Sequence, residues 1–169
     1  MSFEKLVESS PIELSLKVLA REIDQIQSEK RLEFLKMYPD VLPPVRAHST
    51  DSGWDIYAYG PPLIETTYIQ YNTGLKLNIP EGYWVAIFPR SSVSKYDLVL
   101  ANSVGVIDQS YKGEILVRFK QTVSEPNLYA NGERIAQLVL MKKENFALYE
   151  VSDIGDSERN AGGFGSTGK

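Results

Sequence analysis

The chain has no cysteine and a single histidine among its 169 residues. Without cysteine there is neither a disulfide frame nor a thiolate metal site, and nothing points to secretion. One histidine is too few for a zinc centre. Long apolar runs are also missing. The opening MSFEKLVESSPIEL lacks the basic start and apolar stretch of a signal peptide, and no later stretch approaches membrane-spanning length. The expectation is a cytoplasmic protein with no membrane partner. Positive charge is not in excess either: 18 Lys and Arg face 22 Asp and Glu, a formal net charge of -4. A general nucleic-acid binder would need a net basic face, so no nucleic-acid partner is expected, and any phosphate must be bound locally by a few placed cations and amides. What remains, 43% hydrophobic residues in a chain of this length, suits one domain with a real core.

Two regimes of periodicity meet near Pro43-Pro44. Ser10-Pro11-Ile12-Glu13 has the residues of a helix start: a hydroxyl at the cap, proline at the first helical position and a carboxylate three residues after the cap. Ile12, Leu16, Leu19, Ile23 and Ile26 follow at alternating spacings of four and three, and Leu32 and Leu35 extend the apolar content. Residues 1–40 are therefore expected to form an N-terminal helical extension, stopped by Pro39, that packs on the body of the protein, on another subunit or on a partner. It encodes no chemistry.

Beyond Pro44 the period becomes two. Leu75, Leu77 and Ile79 alternate with polar residues, Pro80-Glu81-Gly82 supplies a turn, and Val85 and Ile87 resume the alternation. Ile115, Val117 and Phe119 alternate with Leu116, Arg118 and Lys120. Short strands separated by Gly, Pro and Asn, running through to Tyr149, predict an all-β sandwich or barrel of the jelly-roll kind.

Five short clusters interrupt this pattern. The first is Asp51-Ser52-Gly53-Trp54-Asp55-Ile56. The second, Pro89-Arg90-Ser91-Ser92, places a guanidinium and two hydroxyls where an apolar strand ends, a donor set suited to phosphate; alone, an Arg there more often solvates a sheet edge. The third runs from Ala101 to Glu114 and puts Asp108 after Val-Ile and before a Tyr and a Gly, which reads as a hairpin with a carboxylate and an aromatic ring at its tip. A turn-forming Asp is the plainer reading. In the fourth, Gly132-Glu133-Arg134-Ile135-Ala136-Gln137-Leu138-Val139, Gln137 sits inside an otherwise apolar strand. The fifth is the end of the chain, ERNAGGFGSTGK, a run that neither helix nor strand would choose.

In their order along the chain, these clusters resemble the five motifs of the trimeric dUTPase family: S-G-W-D-I, P-R-S-S, N-S-V-G-V-I-D-Q-S-Y-K-G-E, G-E-R-I-A-Q-L-V and R-N-A-G-G-F-G-S-T-G. The likeness runs from about Val41 to the C-terminus. It implies a jelly-roll-like β-barrel core over residues 41–155, with the N-terminal helical segment as an addition and residues 156–169 as a flexible arm closing over a neighbouring subunit's site. The implied activity is hydrolysis of dUTP to dUMP and pyrophosphate, keeping uracil out of DNA and supplying dUMP.

The resemblance also implies roles. Asp108 would act as general base on a water attacking the α-phosphorus, with Gln137 beside it. Tyr111 would stack under the deoxyribose and exclude a 2′-hydroxyl. Asn102 and the backbone around Val104, Gly105 and Ile107 would pair with the edge of uracil, rejecting cytosine by leaving polar groups unpaired. Arg90, Ser91, Ser92 and Gln137 would hold the α and β phosphates, and Asp55 would orient a cationic side chain. From the arm, Phe164 and Gly165 would cover the uracil ring, and Arg159, Ser166 and Thr167 would reach the γ-phosphate. Mg²⁺ is expected on the triphosphate, held through substrate and water without direct protein ligands. The implied partners are dUTP and two further copies of the chain, a homotrimer with shared sites.

The sequence departs from the family's pattern at Ser52, where Ala is common, at Ser92, which puts a side chain where a glycine is usual, and at Lys112, where Arg is common; Trp54 fills a variable position. Two rivals stand beside the hydrolase: a dCTP deaminase of the same fold, and a dUTP-sensing regulator that signals through the N-terminal helix. A simple oligomerising β-domain is the third.

Overall fold

The computed structural model describes Ile12, residues 15–22 and residues 31–157. Within the described residues ten strands form: β1 (Glu33–Lys36), β2 (Trp54–Tyr57), β3 (Tyr59–Ile64), β4 (Ile69–Asn72), β5 (Leu75–Asn78), β6 (Tyr83–Pro89), β7 (Leu98–Leu100), β8 (Gly105–Ile107), β9 (Leu116–Gln121) and β10 (Arg134–Lys142), with a short 3₁₀ turn at Ser91–Lys95. They make two four-stranded sheets, β2-β10-β6-β8 and β3-β4-β9-β7, and a two-stranded ribbon, β1-β5. All pairings are antiparallel.

The alternation read from the sequence sets the faces. On β9, Val117 and Phe119 are buried while Leu116, Arg118 and Lys120 face out; on β5, Leu75 and Leu77 are buried. The core lies between the large sheets, with Ile56, Val85, Ile87 and Leu138 from one and Ile69, Tyr71, Val117 and Phe119 from the other. Burying a side chain of this size stabilises the fold by roughly 1.5–3 kcal/mol.

Three expectations change. The helical reading of residues 1–40 does not hold at its end: Glu33–Lys36 is a strand paired with β5. Leu32 and Phe34, two residues apart, line one groove, which is strand periodicity. Ile12 and residues 15–22 are helical, with Ile12, Leu16 and Leu19 exposed; the proposed cap at Ser10-Pro11 and the apolar positions Ile23 and Ile26 lie outside the described residues. At the other end the last strand stops at Lys142 and not near Tyr149. Lys143 N–H donates to the Gly82 carbonyl at 2.7 Å, and Phe146, Leu148, Tyr149, Val151 and Ile154 then run exposed.

The third cluster is not a hairpin tip. Its strand β8 pairs with β6, while the next strand, β9, joins the other sheet. Asp108 instead opens a tight turn closed by Tyr111 N–H on the Asp108 carbonyl at 3.0 Å. Gly105 permits this path, because a Cβ there would lie 2.8 Å from Ile87 Cβ, so only glycine lets β8 pack so close to β6.

Candidate functional site: a guanidinium-lined pocket

Three neighbouring strands bring the first, second and fourth clusters together. Asp55 on β2 pairs across the sheet with Gln137 on β10, and Gln137 pairs on its other side with Phe88 on β6, two residues before Arg90. Asp55 grips two cations: Arg90 Nε donates to its Oδ1 at 2.8 Å and Arg134 Nη1 to its Oδ2 at 3.1 Å. Its side chain is 16% exposed, so the ionic bonds are only partly screened. Arg90 Nη1 also reaches Ser92 Oγ at 3.4 Å and the Arg134 carbonyl at 3.5 Å. Gln137 is fixed by its amide, which donates to the Pro89 carbonyl at 3.0 Å.

These groups line one cavity of about 310 Å³ with Asp51, Ser52, Gly53 and Ser91. Two arginines, the hydroxyls of Ser52 and Ser91 and an amide converge there, with the Asp55 carboxylate orienting both guanidinium groups. That donor set suits a polyphosphate, whose charge the guanidinium groups offset while leaving it open to attack.

Two local devices make the pocket possible. Strict alternation would send Arg134 and Gln137, three residues apart, to opposite faces of β10. A register shift between Arg134 and Ala136 against β2 inserts an extra residue, and both side chains then reach the same cavity. Ile135 and Ala136 are buried in succession, as such a bulge requires. Gly53 is the second device. A Cβ there would lie 2.5 Å from Gln137 Oε1 and 3.2 Å from Gln137 Cβ, so the close approach of the Gln137 side chain needs glycine.

Behind the pocket lies an aromatic cluster. Tyr96 stacks on Tyr129 with centroids 3.8 Å apart, and Tyr129 meets Tyr71 and Phe119. Burial pushes the Tyr129 hydroxyl up to about 12, with the neighbouring tyrosines adding to the rise and Arg90 opposing it. Tyr96 is raised by desolvation and by Glu133, whose Oε1 accepts its hydroxyl at 3.3 Å.

The residues of the third cluster sit elsewhere. Asn102 is exposed, with its Nδ2 close to Gly105, and Ser103 turns the chain at φ 60° towards Val104 and β8. Ile107 pairs with Val85, and Asp108 follows it, exposed, in a broad concavity with Trp84, Ser110 and Lys112. The Tyr111 ring lies over Gly113 and its hydroxyl donates to the Glu114 carbonyl at 2.9 Å. Arg90 stands five residues further along β6 than Val85, about 16 Å at strand rise. Within one chain, then, Asp108 and Tyr111 are not beside the guanidinium-lined pocket. Arg159, Phe164, Gly165, Ser166 and Thr167 lie outside the described residues.

No three His, Asp or Glu side chains gather into a cation cage among the described residues. Of the two carboxylates lining the pocket, Asp55 has both oxygens taken by arginines, and Asp51 accepts the His48 N–H on its Oδ2 at 2.9 Å. This donor set fits a cation carried by triphosphate oxygens and water. Sequence reasoning gave no role to Arg134 or Gly53. The signal for Arg134 was its place three residues before Gln137, which becomes meaningful only once the bulge is known.

The comparisons with known proteins bear on the whole arrangement. The dUTPase family model matches residues 41–168. A deoxyuridine 5'-triphosphate nucleotidohydrolase of Thermobifida fusca is 38% identical over 141 residues, 82% of this chain and 79% of that protein. One of Finegoldia magna is 41% identical over 134 residues, 74% of this chain and 92% of that protein. Among solved structures, a point mutant of the Staphylococcus bacteriophage 80alpha dUTPase with dUpNHpp superposes with a TM-score of 0.69 at 29% identity, covering 83% of this chain and 99% of the phage chain. Sequence relatives, structural likeness and a family match over most of its length agree: the chain belongs to the dUTPase family.

Proposed function

We propose that the chain hydrolyses dUTP to dUMP and pyrophosphate at sites shared between three copies, with a water activated by Asp108 attacking the α-phosphorus. The observation that carries this reading is the pocket in which Asp55 aligns Arg90 and Arg134 beside Gln137. Arg90, Ser91 and Gln137 hold the α and β phosphates, with Ser92 steadying Arg90. The attack depends on positioning and on offsetting charge, which preset guanidinium groups provide without reorganising. Asp108 takes the proton from the water. Asn102 and the backbone of Val104, Gly105 and Ile107 read the uracil edge, and Tyr111 packs under the deoxyribose. Mg²⁺ bound to the triphosphate would neutralise its charge and fix the conformation of the phosphate chain.

The separation of about 16 Å between the level of Ile107, the residue before Asp108, and Arg90 is why the site is assigned to more than one chain. A closed trimer brings Asp108 of one subunit to the phosphate pocket of the next. The exposed run from Phe146 to Ile154 supports the same assembly, since a segment this apolar finds its burial on another copy. The arm, with Arg159, Phe164, Gly165, Ser166 and Thr167, closes the site over base and γ-phosphate. In this reading residues 41–155 form the jelly-roll-like barrel, the helix that includes residues 15–22 is an addition to it, and the enzyme works in the cytoplasm. The relatives named above are dUTP hydrolases, so the dCTP deaminase reading is not favoured.

The test is complementation. Asp108→Asn and Arg90→Ala proteins, each inactive alone, are denatured together and refolded as mixed trimers, and pyrophosphate release from dUTP is followed. Random mixing leaves about a quarter of shared sites with both native groups, so about a quarter of wild-type activity should return. No recovery in verified mixed trimers would refute the shared site.

A further inference from the structure

Glu133 and Tyr96 do not line the phosphate pocket, yet each adjoins a segment that does. Tyr96 caps the 3₁₀ turn Ser91–Lys95, its N–H donating to the Val93 carbonyl at 2.9 Å. Glu133 immediately precedes Arg134, and its four polar contacts leave it little freedom. Its Oε2 accepts the Ala130 N–H at 2.6 Å and its Oε1 accepts the Tyr96 hydroxyl. Its backbone N–H donates to the Ala130 carbonyl at 3.1 Å, and its carbonyl accepts from Ala58 N–H at 2.8 Å.

On the other side of that tie, the Tyr96 ring is backed by Tyr129, whose own N–H donates to the Tyr71 hydroxyl at 3.0 Å. The chain then turns sharply at Asp97, with φ 51°, and the Asp97 carbonyl is held by both the N–H and the hydroxyl of Thr122. The end of the Ser91 turn is therefore anchored to rigid groups, and the Glu133 carboxylate is the side-chain link from that anchor to the start of β10.

We infer that Glu133 and Tyr96 form a clamp that sets the spacing of the two walls of the phosphate pocket, Arg90-Ser91 on one side and Arg134-Gln137 on the other. This rests on the reading of that pocket as the site of the α and β phosphates. Both are positioning residues. The direct Asp55 ties already hold the arginine tips, so the clamp acts on the backbone of the Ser91 turn and thereby on the line of attack more than on the binding of charge. Misplacement of a reacting group by about 1 Å can cost as much as 100-fold in rate.

The experiment compares Tyr96→Phe, Glu133→Gln and the double variant by steady-state dUTP hydrolysis, by binding of a non-hydrolysable dUTP analogue and by thermal unfolding. Tyr96→Phe keeps the ring stack and should fold as the wild type does. It should lower kcat about 10-fold while KM and analogue affinity move less than about 3-fold. Because the two residues act through one bond, the double variant should lose no more kcat than the worse single one. A Tyr96→Phe enzyme with wild-type kcat, or kcat losses that multiply in the double variant, would overturn the clamp while leaving the dUTP reading in place. Failure of the wild type to hydrolyse dUTP would overturn both.

Discussion

Replacing Gly53 by alanine tests the pocket at its tightest point. The new methyl would lie 2.5 Å from Gln137 Oε1, and 3.2 Å from both Cβ and Cδ of the same side chain. The amide end can swing away, but only by breaking the bond from Gln137 Nε2 to the Pro89 carbonyl. The Cβ contact cannot be relieved by rotation. Overpacking of this kind costs about 1–3 kcal/mol, and loss of one partly buried hydrogen bond about 1 kcal/mol. Gly53→Ala should therefore destabilise by about 2 kcal/mol, which lowers Tm by about 4–8 °C in a chain of this length. Hydrolysis should fall much further, because Gln137 is displaced from the cavity it shares with Arg90 and Ser91.

The background is what makes the test decisive. In a Gln137→Ala protein the amide group is gone, and Gly53→Ala then meets only the 3.2 Å contact with Cβ, which a shift of a few tenths of an ångström relieves. Its cost should drop below about 1 kcal/mol, a coupling of about 1–2 kcal/mol between adjacent sites. The assay is denaturant or thermal unfolding of the four proteins at one fixed concentration, with turnover measured alongside. An equal cost of Gly53→Ala in both backgrounds would show that the glycine serves the backbone and not Gln137.

Two other perturbations address the charges and the aromatic cluster. Asp55→Asn keeps the shape of the pocket but leaves Arg90 and Arg134 without their shared counter-ion; it should cost about 1–2 kcal/mol of stability and raise KM for dUTP through misdirected guanidinium groups, and a wild-type KM would refute the orienting role. For Tyr129 the folded-state pKa lies above that of the unfolded chain, so its contribution is fully present below pH 10 and is lost as pH rises to about 12. Across that window the wild type should lose about 2 kcal/mol more stability than Tyr129→Phe, as read from urea unfolding in a pH series. Parallel pH profiles would refute the burial argument.

The alternation from Leu75 onwards was legible because each sheet of the core has one buried face, so apolar residues had to recur every second position. The strand at Glu33–Lys36 was not. It is four residues long, it sits beside a helical heptad-like pattern, and it pairs with a strand far along the chain, Glu33 opposite Asn78. The same non-local cause hid the path of the third cluster. Gly-Val-Ile-Asp followed by a turn looks like one arm of a hairpin, and only the fit of Gly105 against Ile87 shows that its partner is the earlier strand β6.

The bulge in β10 carries the deeper lesson for reading sites. Arg134 and Gln137 belong to one motif, and a period of two places them on opposite faces. The structure brings both to one cavity by giving up one residue of register against β2 at Ile135, a position just beyond the β6 pairing, which begins with Ala136 opposite Pro89. On the other side β6 keeps unbroken pairing from Ala136 to Lys142, so the extra residue disturbs only the pairing with β2. Two donors at odd spacing reach one cavity because the extra residue falls where β10 has run past the end of β6, and the first, second and fourth clusters converge at that end of the sheet.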